Sequence, residues 1–156
     1  MRFPRLLVVS LAMTVALLGG AAAAPGPESS ERSTVVVTVS GFRNAKGKVD
    51  ALLFVSPEGF PEDDSKAFDK DEVSIDPDTM TAQIVFKDVP RGSAAVTVLH
   101  DENMNRKIDK NFFGIPKEGY GTSNNPKKAW HEPKWDEAAF PVDAPEITVP
   151  IKLIYW

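Results

Sequence analysis

The chain has 156 residues, 18 Lys and Arg against 22 Asp and Glu, a formal charge of −4, and no cysteine. The missing cysteines exclude a disulfide framework and a cysteine-linked lipid anchor. An acidic balance with no basic cluster argues against nucleic acid and anionic lipid as partners, and leaves cations and neutral ligands.

Arg2 and Arg5 precede an apolar run from Leu6 to Leu18, followed by Gly19-Gly20 and Ala21 to Ala24. A basic start, an apolar middle and a small-residue end define a secretory signal peptide over residues 1–23, with Ala21-Ala22-Ala23 placing the cut before Ala24. A retained anchor is the alternative, but the Gly and Ala of its last third favour membrane insertion only weakly. The expectation is a bacterial protein, periplasmic or secreted, monomeric and free of the membrane after cleavage. Residues 24–33 are polar and read as a flexible leader. Residues 34–156 are enough for one ordinary domain.

Period-two segments start at Thr34. Val35, Val37 and Val39 alternate with Thr34, Thr38 and Ser40, and Gly41 to Lys48 reads as a hairpin connection. Val49, Ala51, Leu53 and Val55 follow on one face with Leu52 and Phe54 on the other, as in a strand covered on both sides. Asp63 to Phe68 fits one helical turn, and Val73 with Ile75 marks a short strand. Met80, Ala82, Ile84 and Phe86 alternate with polar residues up to the turn Asp88 to Gly92, and Ala94 to Leu99 forms the next strand. The last run is Ile147, Val149, Ile151, Leu153 and Tyr155, where Pro150 lacks a ladder donor and indicates a sheet edge or a bulge. Six or seven short strands without an amphipathic helix predict an all-β fold, a single antiparallel β-sandwich.

From residue 101 to 144 the periodicity stops. So long an irregular segment is usually functional or disordered. Phe112, Phe113, Tyr120, Trp130, Trp135 and Phe140 argue against disorder and predict an ordered excursion packed on the sandwich. Gly114, Gly119 and Gly121 read as turn glycines.

The excursion opens on HDENMNRKID, His100 to Asp109. Oxygen-bearing side chains at Asp101, Asn103, Asn105 and Asp109, with the Lys107 carbonyl, match the first, third, fifth, ninth and seventh positions of a Ca²⁺ loop. Arg106 stands at the sixth position in place of glycine and Phe112 at the twelfth in place of glutamate, which Glu118 would have to replace. The competing reading is a set of Asx-turns that satisfy backbone N–H groups without a metal.

Three runs, FKDVPRG from Phe86 to Gly92, HDENMN from His100 to Asn105 with Asp109, and GIPKEGYG from Gly114 to Gly121 before Ser123-Asn124-Asn125, together resemble one family. It is the group of exported bacterial proteins called domain-of-unknown-function family 2141. The resemblance spans Val35 to Tyr155 and implies a secreted sandwich of the transthyretin or prealbumin kind, with no defined activity. Trp135 departs from it, standing where a smaller aromatic is expected.

His100, Glu118, Tyr120, Trp130 and Trp135 are the candidate ligand-binding residues, and no catalytic set emerges. His100 lies on the face of Val96 and Val98, which favours a hydrogen-bonded, partly buried ring over a zinc ligand. No nucleophile-elbow motif supports serine hydrolysis. The expected function is a non-catalytic module that binds an unidentified ligand or protein, with Ca²⁺ as the one candidate cofactor. A periplasmic enzyme with its site between residues 101 and 140 is the alternative. An outer-membrane barrel, suggested by the aromatic C-terminus, lacks the eight or so long strands it needs.

Overall fold

The structure is a computed structural model and describes residues 32–126 and 131–156. The signal peptide, most of the leader and Trp130 therefore lie outside the described residues. Eight strands form: β1 Arg32–Ser40, β2 Lys48–Phe54, β3 Asp69–Val73, β4 Ala82–Pro90, β5 Gly92–Asp101, β6 Gly119–Thr122, β7 Phe140–Val142 and β8 Glu146–Lys152. Among the described residues there is one short helix, α1, spanning Trp135–Ala138.

The strands form two open sheets, one ordered β4-β1-β8 and the other β3-β2-β5-β6, with β7 paired to β5. The all-β sandwich is thus the fold. One pairing departs from the antiparallel rule: β1 and β8 run parallel, with Val37 opposite Val149. A hairpin cannot make that pair, and the whole length of chain between the two strands serves as its connection.

Alternation fixes which residues meet between the sheets. Val35, Val37 and Val39 of β1, Ile84 and Phe86 of β4, and Val149 and Ile151 of β8 face Val49, Ala51 and Leu53 of β2 and Val96 and Val98 of β5. These residues are all but inaccessible to solvent. At about 25 cal/mol per Å² of apolar area, their burial dominates the stability of a domain without disulfides. β2 lies between β3 and β5, as its apolar residues on both faces require. β8 is an edge strand, as Pro150 predicts. Asn125 blunts that edge: its amide donates to the Pro150 carbonyl at 2.8 Å and accepts from the Lys152 N–H at 2.7 Å.

Four local expectations are corrected. Asp63 to Phe68 forms a hydrogen-bonded turn and no helix, with the Lys66 N–H on the Asp63 carbonyl at 3.0 Å. The strand expected at Val73 and Ile75 lies earlier, over Asp69–Val73. An edge strand with a mostly exposed surface does not need apolar alternation, so DKDEV carried no signal. Met80 precedes β4 in a turn with φ 52°. The excursion is not strand-free either, since it supplies β6, β7 and α1.

The glycines of β6 are the clearest case of a misread signal. Gly119 and Gly121 are strand residues, and only Gly114 has the positive φ of a turn, 74°. A Cβ at Gly119 would run into the Tyr155 ring, and one at Gly121 would lie 2.7 Å from the Ile151 side chain. Absent side chains let the C-terminal segment close over β6, and the Tyr120 and Ile154 backbones bond each other at 3.0 and 2.9 Å.

Candidate functional site

The five-stranded sheet has a second face, turned away from the sandwich core. Register places Glu72, Asp50, Leu99 and Tyr120 in one row across it, and Lys70, Leu52, Thr97 and Thr122 in the next. Segments 56–68, 101–118 and 131–138 rise around this face. Phe54, Phe60 and Trp135 form a ladder of edge-to-face contacts at 5.5 and 5.7 Å that fastens two of these segments to the sheet. Ser123, wholly buried, fastens them further: its hydroxyl donates to the Ala138 carbonyl at 2.6 Å and accepts from the Val96 N–H at 3.0 Å.

The cover is incomplete. Between the fences lie a cavity of about 580 Å³ and a second of about 720 Å³, which share Glu62, Ile108 and Tyr120. Both fall in the range of about 300–1,000 Å³ that small-molecule sites occupy. Tyr120 therefore stands where the two halves of one groove meet. Its hydroxyl oxygen is buried and has no hydrogen-bond partner among the described residues. Burial, with the Glu62 and Glu132 carboxylates nearby, holds the phenol protonated far above its usual range. It is a fixed donor at the groove, open to a group that enters it.

Asp50 lies farther along the groove. Burial raises its carboxyl to about 6, with the Asp101 and Glu72 charges and a hydrogen bond to Glu72 adding to the rise and Arg106 opposing it.

The Asp101 loop forms one wall. Asp101 is buried, and its two oxygens accept from the Asn105 N–H at 3.1 Å and the Arg106 N–H at 2.6 Å. Asn103 accepts from the same Asn105 N–H at 3.1 Å, and Asn105 from the Lys107 N–H at 2.8 Å. The two Asn amides donate to the two oxygens of Asp109 at 2.6 and 3.1 Å. Glu118, also buried, straps the ends together by accepting from the Glu102 N–H at 3.0 Å and the Asp109 N–H at 3.1 Å. Arg106 takes the left-handed conformation, φ 59°, at the sixth position where a cation loop ordinarily has glycine. The loop is thus wound as Asx-turns, with the oxygens of 101, 103, 105 and 109 gathered on one side.

The other sequence-derived candidates separate. His100 is fully buried on the core face and closed to a ligand. Its Nε2–H donates to the Lys46 carbonyl at 2.7 Å, and Nδ1 accepts from the Tyr155 hydroxyl at 2.7 Å. That tautomer follows from the carbonyl being an acceptor only. Trp135 packs on Phe60 and lines neither cavity. Glu118 is engaged under the loop, and Tyr120 alone of the described candidates faces the groove. The excursion's aromatics do not all pack down as expected: Phe112 is 98% and Phe113 82% exposed. They sit edge to face at 5.5 Å on a rigid tip where the Asn111 side chain accepts from the Phe113 and Ile115 N–H groups at 2.9 and 3.0 Å. Phe113 overhangs the smaller cavity, as does Trp156.

Sequence reasoning missed Asp50, Glu62, Glu132, Phe113 and Trp156 as parts of one groove. The usable signal was in β2, where Leu52 and Phe54 on the face opposite Val49 and Leu53 require a cover supplied by distant chain.

The molecule is therefore a β-sandwich with an incompletely covered outer sheet face, polar at its floor and aromatic at its rim. The chain belongs to the family described as an uncharacterized protein conserved in bacteria, domain of unknown function 2141, whose sequence model matches residues 37–150. No curated protein and no solved structure matches it.

Proposed function

We propose that the protein is an exported, non-catalytic β-sandwich module that binds a small ligand in the groove on the outer face of its five-stranded sheet. The observation that carries this reading is the buried, partnerless Tyr120 hydroxyl at the floor of a roomy cavity. A buried donor normally has a partner, and a polar group of a ligand in the groove supplies one for Tyr120. The signal-peptide pattern of residues 1–23 supports export to the periplasm or beyond, and release by osmotic shock without detergent tests it.

Cyclohexanol is a minimal probe, an apolar ring with one hydroxyl to accept from Tyr120. Titrated into the labelled protein, it should shift the amide resonances of Gly121, Thr122 and Ile154. Shifts scattered over the surface, or none, would remove the groove as a ligand site.

The Asp101 loop serves this reading as a buttress, and Ca²⁺ is its proposed stabiliser. In support, the ligand spacing, the left-handed Arg106 and the gathered oxygens suit a hard cation, and each oxygen that accepts one N–H keeps a second lone pair. Binding requires the Asn103 and Asn105 amides to turn away from Asp109, so the expected dissociation constant is weak, about 10⁻⁴ to 10⁻³ M. Millimolar Ca²⁺ should raise the melting temperature of the wild type and leave Asp101→Ala unmoved. An unchanged wild-type melting temperature would sink the metal role and leave the groove untouched.

A further inference from the structure

We propose that the ligand of the groove is a neutral oligosaccharide, seated with a ring face against Phe113 and Trp156 and a hydroxyl on Tyr120. This rests on the reading of the groove as a ligand site and names what the site selects.

The groups on its walls set the chemistry. Tyr120 is a donor that needs an acceptor, while the Glu62 and Glu132 carboxylates near it accept only. One ligand group that satisfies both must accept and donate at once. A hydroxyl does so, and the charged lining is mixed, with Lys110 and Lys152 beside the same cavity as Glu62, Glu132 and Glu137, so a neutral ligand with several hydroxyls can accept from the one set and donate to the other. The walls ask for more than a hydroxyl. Phe113 is 82% and Trp156 39% exposed at the rim, and Ile108, Ile115 and Pro116 continue the apolar surface. Aromatic rings at the rim offer flat faces on which a ligand ring can stack. Hydroxyls around a ring whose faces carry C–H groups are the defining chemistry of a sugar.

Length follows from the second cavity. It continues from Tyr120 past Leu99, Leu52 and Thr97, with Asp50, Lys70 and Arg106 along its sides. Apolar steps bordered by hydrogen-bonding groups suit a chain of rings better than a single one.

The full-length mature protein is titrated calorimetrically with maltotriose, cellotriose, mannotriose and triacetylchitotriose, and with trigalacturonate as the anionic comparison. At least one neutral trisaccharide should bind, shift the same groove amides as cyclohexanol, and exceed trigalacturonate. Tyr120→Phe and Phe113→Ala should each weaken it by roughly three- to tenfold, the worth of one hydrogen bond or one aromatic contact. Tyr120→Phe keeps the ring and Phe113→Ala loses only the exposed contact with Phe112, so melting temperatures near the wild type are expected and confirm folding. If cyclohexanol shifts the groove amides while no trisaccharide binds at millimolar concentration, the saccharide is overturned and the groove survives. If neither binds, both fall. A trisaccharide that binds equally well to wild type and Tyr120→Phe also overturns the assignment.

Discussion

The two faces of the five-stranded sheet are made by the same strands and are treated differently. The inner face is finished. Val49, Ala51, Leu53, Val96 and Val98 meet the opposing sheet, and even the polar His100 has both ring nitrogens bonded. The outer face is unfinished. Leu52, Leu99 and Thr97 lie under a partial roof, Asp50 is held against two like charges, and the Tyr120 hydroxyl is unpaired. The fold bonds both ring nitrogens of a buried histidine on one side and leaves a buried phenol oxygen with no partner among the described residues on the other. Stability belongs to the inner face, and the proposed recognition to the outer.

Substitutions break or sharpen that contrast. His100→Ala should have the largest effect, about 3 kcal/mol of lost stability, because it opens a cavity and removes two hydrogen bonds, to the Lys46 carbonyl and from the Tyr155 hydroxyl. Chemical denaturation measures it, and a loss under 1 kcal/mol would show that the inner face is less complete than described. Gly119→Ala should cost about 2 kcal/mol, since its Cβ must displace Tyr155 from the same side of the sheet. A wild-type denaturation midpoint for this variant would contradict the close packing of the C-terminal segment on β6.

On the outer face the effects are smaller and of opposite sign. Asp50 is a carboxyl whose folded value, about 6, lies above its ordinary 3.8. Between these values the folded state binds more protons than the unfolded, so Asp50 makes stability fall as pH rises through about 4 to 6. Asp50→Asn should flatten that decline and stabilise the protein at pH 7 by about 1 kcal/mol or less, solvent screening having reduced the full shift. Denaturation midpoints at pH 4 and pH 7 check it; a variant that loses stability at pH 7 would reverse the sign.

Much of the inner face was legible in the sequence, because a buried face imposes period two on β1, β2, β4, β5 and β8. The edge position of β8 was legible through Pro150, and the Asx-turns through the spacing of Asp101, Asn103 and Asn105. The outer face was less so. β3 is an exposed edge whose residues DKDEV need no pattern. β6 is four residues long, and its glycines are fixed by Tyr155 and Ile151, some thirty residues away. Phe112 and Phe113 carry the composition of packed residues and yet point to solvent. Hydrophobicity tells which residues prefer burial, and only the assembled chain determines which of them find it.

Tyr120→Phe tests the division of labour most directly, because it removes one oxygen atom and nothing else. Melting temperature and trisaccharide affinity are measured together on this variant and on the wild type. With no hydrogen-bond partner among the described residues lost, the melting temperature should stay level, while affinity falls by roughly three- to tenfold. A clear drop in melting temperature with affinity unchanged would contradict the account, since it would make Tyr120 a structural residue and the outer face merely a second, imperfect core.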